Sequence, residues 1–165
     1  MIIDKLCEFA DNVSVAAGAG TALIGNVMDT AALNRDLGDG EPIYLVLKTG
    51  TTEIITGGSA GTIQFFLVSD AAADLASAVV ANCTLHLSSA SLVTDDAAAN
   101  SSQLNAGQQI LVAALPLGTY ERYMGILCTI GTTTVTAGTI DAFLTRDKPY
   151  TGKQYADALT VATGQ

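Results

Sequence analysis

At 165 residues the chain has the size of one domain, and a domain of this length buries roughly 70% of its unfolded surface, enough to fold without a disulfide or a metal. Hydrophobic residues make up 49%, with five Tyr, four Phe and no Trp, while charged residues are only 14%, against roughly 25% in an ordinary soluble domain. A surface this short of charge is read as one covered by neighbours, and the net charge of −9, with seven scattered Lys and Arg, excludes a nucleic-acid partner, which would need clustered cations.

In chain order, residues 1–30 are acidic at first and then small and Gly-rich, with little strand pattern, and are expected to form an N-terminal arm. Residues 31–35 have the makings of one helical turn. Residues 42–48 are a β-rich run between Gly40 and Gly50, and residues 62–68 are another, opened by Gly61 and closed by Ser69-Asp70. Short strands are expected at 53–55, 84–87 and 133–136. Residues 71–81 are Ala-rich behind a possible Asp cap but lack a 3.6-residue stripe, so a short helix and a loop are both open. Residues 88–107, rich in Ser, Asp, Ala and Asn, read as a long surface loop. Strands follow at 108–114, stopped by Pro116, at 123–130, ending at Gly131, and at 138–145, where apolar residues alternate cleanly. Residues 148–165 form a polar C-terminal tail.

These lengths and boundaries, without helical crossovers, predict an all-β protein. The fold expected is an antiparallel β-sandwich of jelly-roll type, spanning residues 31–147 and flanked by extended N- and C-terminal arms. Neither arm has the composition to fold alone, and both are expected to order on a partner.

The chemistry of the side chains points away from catalysis. Gly18-Ala19-Gly20-Thr21-Ala22-Leu23-Ile24-Gly25 has glycines but no Lys to hold a phosphate. Arg35 to Glu41 gathers Asp36, Asp39 and Glu41 without calcium-loop spacing, and Asp95-Asp96 reads as a loop pair. Cys7, Cys83 and Cys128 are odd in number and lack the paired spacing of zinc or disulfide sites, as expected of free thiols in a reducing cytoplasm. His86 is the only histidine, so any Ser-His or Cys-His device must use it. It shares a strand face with Thr84 and Ser88, which reads as a polar surface or interface position. No run approaches the ~18 apolar residues of a membrane helix, and the first residues are too acidic for a signal peptide. The expectation is a protein with no enzymatic activity, no cofactor, no metal and no membrane association.

Met1-Ile2-Ile3-Asp4 with Phe9-Ala10-Asp11 opens a series of segments, continued by Asn26-Val27-Met28-Asp29 and then Gly40-Glu41-Pro42-Ile43-Tyr44-Leu45-Val46-Leu47. Gly61 to Asp70 follows, then Ala114-Leu115-Pro116-Leu117-Gly118 with Glu121-Arg122-Tyr123-Met124, and finally Thr136 to Leu144. In this order the segments resemble the capsid cement, or decoration, proteins of the Bordetella-phage type. The resemblance runs from Met1 to about Asp147 and is weaker over residues 81–105. It implies a jelly roll grouped as homotrimers on the outside of a mature phage head, at three-fold and quasi-three-fold positions, with the major capsid protein as partner. It also implies a virion protein made in the host bacterial cytoplasm and devoid of enzymatic activity.

The residues expected to carry subunit or capsid contacts are Arg122 and Tyr123, of types that concentrate interface energy, Tyr150 and Tyr155 in the polar tail, and Phe9 in the N-terminal arm. The bland alternative for the first pair is Tyr123 in the core and Arg122 paired locally. Other functions left open are a virion-surface carbohydrate-binding sandwich, a tail or spike component, and an enzyme whose site is built between subunits.

Overall fold

The computed structural model describes residues 7–31, 42–57, 60–95 and 100–147. Eleven strands run through them: β1 (Glu8–Ser14), β2 (Gly20–Asp29), β3 (Tyr44–Thr49), β4 (Ile55–Thr56), β5 (Gly61–Asp70), β6 (Thr84–Ser88), β7 (Leu92–Thr94), β8 (Gln109–Ala114), β9 (Tyr123–Gly131), β10 (Val135–Ala137) and β11 (Thr139–Thr145). Two antiparallel sheets carry the fold. One has the order β1-β11-β3-β8 and the other β2-β9-β5-β6, with β7 also pairing β5 and a small β4–β10 ribbon at the side. The eight principal strands therefore cross repeatedly between the sheets, and the first and last pair as neighbours. That interleaving of two Greek keys is the jelly-roll order, and the expected all-β sandwich is what the chain forms.

Alternation along the strands builds the core. On β5, Ile63, Phe65 and Leu67 face the opposite sheet; on β9, Met124, Ile126, Cys128 and Ile130 do; on β3 and β11, Leu45, Leu47, Ile140, Ala142 and Leu144 meet them. The paired residues share a face, so register alone aligns Phe65 with Cys128 and Leu67 with Ile126. Burying a large aliphatic or aromatic side chain contributes about 1.5–3 kcal/mol, so this layer dominates the stability.

The N-terminal segment corrects the expected arm. Within residues 1–30, β1 pairs β11 from Glu8↔Phe143 to Ser14↔Thr139, and β2 pairs β9 from Gly20↔Ile130 to Asp29↔Tyr123. Both strands carry register shifts, and these explain why no period of two is visible in the sequence. β1 shifts twice, between Glu8 and Ala10 and again between Ala10 and Val13, across Asn12 at φ 52°, and β2 shifts between Ile24 and Met28, across Gly25 at φ 69°. Residues 88–107 also hold more structure than a loop: β7 pairs with the start of β5, and a 3-10 turn at Ser102–Leu104 drops Leu104 into the core. The strand expected at 53–55 lies slightly later, at β4. The expected turn at 31–35 falls mostly outside the described residues, and the tail beyond Asp147 lies wholly outside them.

The Ala-rich connection between β5 and β6 makes a four-residue helical turn, Leu75–Ala78, then a 3-10 turn, Val80–Asn82. The first is left-handed: Leu75, Ser77 and Ala78 have φ of 47°, 60° and 60°. Each L-residue in that conformation costs roughly 1–2 kcal/mol. Leu75 offsets the cost by burying its side chain completely against Val68 and Leu127 on the outer face of the β2-β9-β5-β6 sheet, with Leu23, Val27, Phe66 and Tyr123 around it. A second, smaller apolar cluster thus covers one half of that outer face.

Candidate interaction surfaces

Tyr123 begins β9, directly after Arg122, and pairs with both Asp29 of β2 and Asp70 of β5. The Arg122 guanidinium holds the Asp29 carboxylate through two bonds, Nε to Oδ1 at 3.1 Å and Nη2 to Oδ2 at 2.9 Å. It also lies over the Tyr123 ring, 4.9 Å from its centroid. The bond to Asp29, followed by its charge, raises the Arg122 pKa further. The Arg122 side chain is 57% exposed, while Tyr123 is half-buried against the Leu75 cluster. The structure therefore brings these two residues together as a partly open stack at one end of the sandwich.

Phe9 takes a different place from the one expected. It is fully buried between the sheets, and the backbone at Phe9 lies directly against Gly25 of β2. A side chain so placed holds β1 to the core and offers no surface to a neighbour. Tyr150 and Tyr155 lie outside the described residues.

A polar joint that no local pattern announces lies at the same end as Arg122. His86 Nε2 and Ser69 Oγ are 2.7 Å apart, and the Ser69 oxygen accepts the Glu121 N–H at 3.1 Å. The imidazole stacks on Tyr120 at 4.2 Å between centroids, the Tyr120 hydroxyl donates to the Pro116 carbonyl, and Thr84 Oγ1 donates to Glu121 Oε1 at 2.6 Å. Burial lowers the His86 pKa, opposed by the charge of Glu121. With the imidazole neutral and its proton on Nδ1, Ser69 donates to Nε2 and accepts from Glu121, which satisfies its buried hydroxyl. His86 is thus half-buried rather than on an open polar face. Ser69 is completely buried, so this Ser-His contact ties the loop before β9 to β5 and β6 and leaves no approach to the hydroxyl for a substrate carbonyl.

The outer face of the β2-β9-β5-β6 sheet divides in two. Beyond the Leu75 cluster it presents Thr21, Thr129, Thr62, Gln64 and Val93, in which the Thr21 and Thr129 hydroxyls are bonded at 2.8 Å. Every one of these side chains is uncharged. Four large apolar residues are exposed among the described residues: Val79, Leu85, Val93 and Leu117, the last at 85%. Leu85 and Val93 lie on β6 and β7, the strands bordering β5 at the edge of the sheet.

Among the described residues, no three His, Cys, Asp or Glu side chains converge as a metal site. Asp36, Asp39 and Glu41 lie outside them. Cys7, Cys83 and Cys128 form no disulfide, and burial pushes the Cys128 pKa up to about 12.

No curated protein matches the chain. A family model described as Bbp16 matches residues 9–144, running from the second residue of β1 to the last but one of β11 and so taking in the whole sandwich. The chain therefore belongs to the Bbp16 family, whose name points to a Bordetella phage protein.

Proposed function

We propose that this chain is a capsid cement protein, a structural component that binds as homotrimers to the outside of a mature phage head and strengthens it. Its partner in this reading is the major capsid protein, at three-fold and quasi-three-fold positions, and it catalyses no reaction. The observation that carries the proposal is the uncharged half-face formed by Thr21, Thr129, Thr62, Gln64 and Val93 on a chain of net charge −9. Copies of so acidic a protein repel one another across most approaches, and a neutral β-face is where they can pack closely. The family match supports a phage structural protein.

The physical work of such a trimer is multivalent clamping. Three linked subunits raise the effective concentration of each contact, so weak individual contacts hold firmly against the outward pressure of packaged DNA. Closed three-fold symmetry suits positions where shell subunits already meet in threes. Ser69 and His86, the pair most like a catalytic dyad, are taken up by structural bonds, in keeping with a role without turnover.

Light scattering on the purified chain, followed by sedimentation with empty heads, tests the reading. A trimer that pellets with expanded heads and stays behind with compact precursors is the expected result. A monomer that ignores both shells would sink the proposal and favour a carbohydrate-binding sandwich.

A further inference from the structure

We infer that the end of the sandwich carrying the β5–β6 connection and the loop before β9 is the surface that docks on the shell, and that it takes a basic protein surface with an apolar centre. The inference rests on the cement reading and deepens it by naming the contact and its chemistry.

Topology brings the parts together. β5 ends at Asp70, beside the first residue of β9, Tyr123, and β6 begins at Thr84, opposite Ser69. Val79 lies in the connection between them, and Leu85 follows Thr84. Leu117 lies in the loop from β8 to β9, three residues before Tyr120. The Thr84–Glu121 bond and the His86–Tyr120 stack fasten that loop to β6, and Leu85, between them in sequence, pairs with Val68 on the outer face at the same end. Three of the four large exposed apolar residues thus share one end.

The rim around them is acidic. Asp70 accepts the Ala72 N–H at 3.0 Å, Asp74 the Ser77 hydroxyl at 3.4 Å and Glu121 the Thr84 hydroxyl. These donors are neutral, so the bonds orient the carboxylates without cancelling their charge. All three act on Cys83: burial first, then Asp70, Glu121 and Asp74, push its thiol up. The one arginine beside them, Arg122, is matched by Asp29. A second copy presenting the same acidic end would be repelled, whereas a surface with Lys and Arg around an apolar patch is complementary in both respects. The neutral half-face and this acidic end are separate surfaces, as a trimer that must also hold a shell requires.

The test is sedimentation binding to empty expanded heads that lack the protein, with the wild-type chain, a Leu85→Ser/Leu117→Ser double variant and an Asp74→Lys/Glu121→Lys double variant. Circular dichroism melting and light scattering on each variant report fold and assembly. The expected result is wild-type binding that weakens as salt rises, and about tenfold weaker binding for each double variant at unchanged trimer mass. Wild-type binding matched by both variants overturns the inference while the cement reading stands. Loss of the trimer in either folded variant also overturns it, because the end would then join copies of the chain. A wild-type chain that leaves the heads bare removes the cement reading and this inference with it.

Discussion

Gly25 of β2 has no room for a side chain, because a methyl group on it would overlap the carbonyl oxygen of Phe9 and press on the Ala10 side chain. The contact is where β1, in one sheet, and β2, in the other, close upon each other, and Gly25 meets it with φ 69°. Gly25→Ala is therefore expected to destabilise the fold by about 3 kcal/mol or more, from overlap with rigid backbone and from the left-handed conformation together. Gly18→Ala, where nothing lies within 4 Å, should stay within about 0.5 kcal/mol of wild type. Urea denaturation of both variants checks the pair, and equal midpoints would contradict the packing of β1 on β2.

Gly125 and Leu75 make a second such contact, of a softer kind. A methyl at residue 125 would lie 2.5 Å from Leu75 Cδ1, which is the end of a side chain rather than backbone. Gly125→Ala is expected to cost about 1–3 kcal/mol by overpacking, and Leu75→Ala about 2–4 kcal/mol by emptying the cluster. The two residues compete for one space, so the double variant should be less destabilised than the sum of the singles. Strict additivity in a denaturation cycle would mean that the left-handed turn does not press on β9.

His86 gives the fold a defined acid sensitivity. Its folded pKa lies below the ordinary value of 6.5, so the unfolded chain takes up the proton first as pH falls. The resulting contribution to stability is complete above about pH 6.5 and is lost progressively as pH drops from there towards the lower folded value. Protonation also costs the buried Ser69 hydroxyl its acceptor at Nε2. Thermal melts between pH 7.5 and 5.5 are expected to show this decline, and His86→Gln should flatten it. A variant with the wild-type slope would mean that other groups set the pH dependence.

The three thiols are expected to differ in reactivity. Cys128 faces the core and its pKa of about 12 leaves almost no thiolate near neutrality. Iodoacetamide on the native protein should therefore spare Cys128 and reach at most Cys7 and Cys83, while in urea all three should react. Peptide mapping that finds Cys128 alkylated in the native protein would show that the β9 core opens readily.

How much of this was legible before folding depended on how regular each strand is. β3, β5, β9 and β11 were found because their residues alternate or run apolar without a break between Gly, Pro and Asp signals. β1 and β2 were missed because register shifts between Glu8 and Val13 and between Ile24 and Met28 interrupt the alternation, and β7 because three residues are too few to establish a period. Among the site residues, Arg122 and Tyr123 were singled out by type, and the neighbouring pair Tyr120 and Glu121 was not. Their contacts are with Thr84, His86 and Ser69, dozens of residues away, and no local pattern reports such distances.

What the amino-acid sequence determined by itself was the all-β class, the strongest strands, the scarcity of surface charge and the lack of clustered cations, all of which are set by composition and near-neighbour order. Only the tertiary structure decided that Phe9 is a core residue, that His86 leans on Ser69 and Tyr120, and that Val79, Leu85 and Leu117 lie at the same end as Asp70, Asp74 and Glu121. The reason is pairing. β1 finds β11 and β2 finds β9 across 94 to 135 residues of chain, and such partners are selected by which whole arrangement buries the most apolar surface with its backbone bonds satisfied, a property of the assembled sheets and of no single segment.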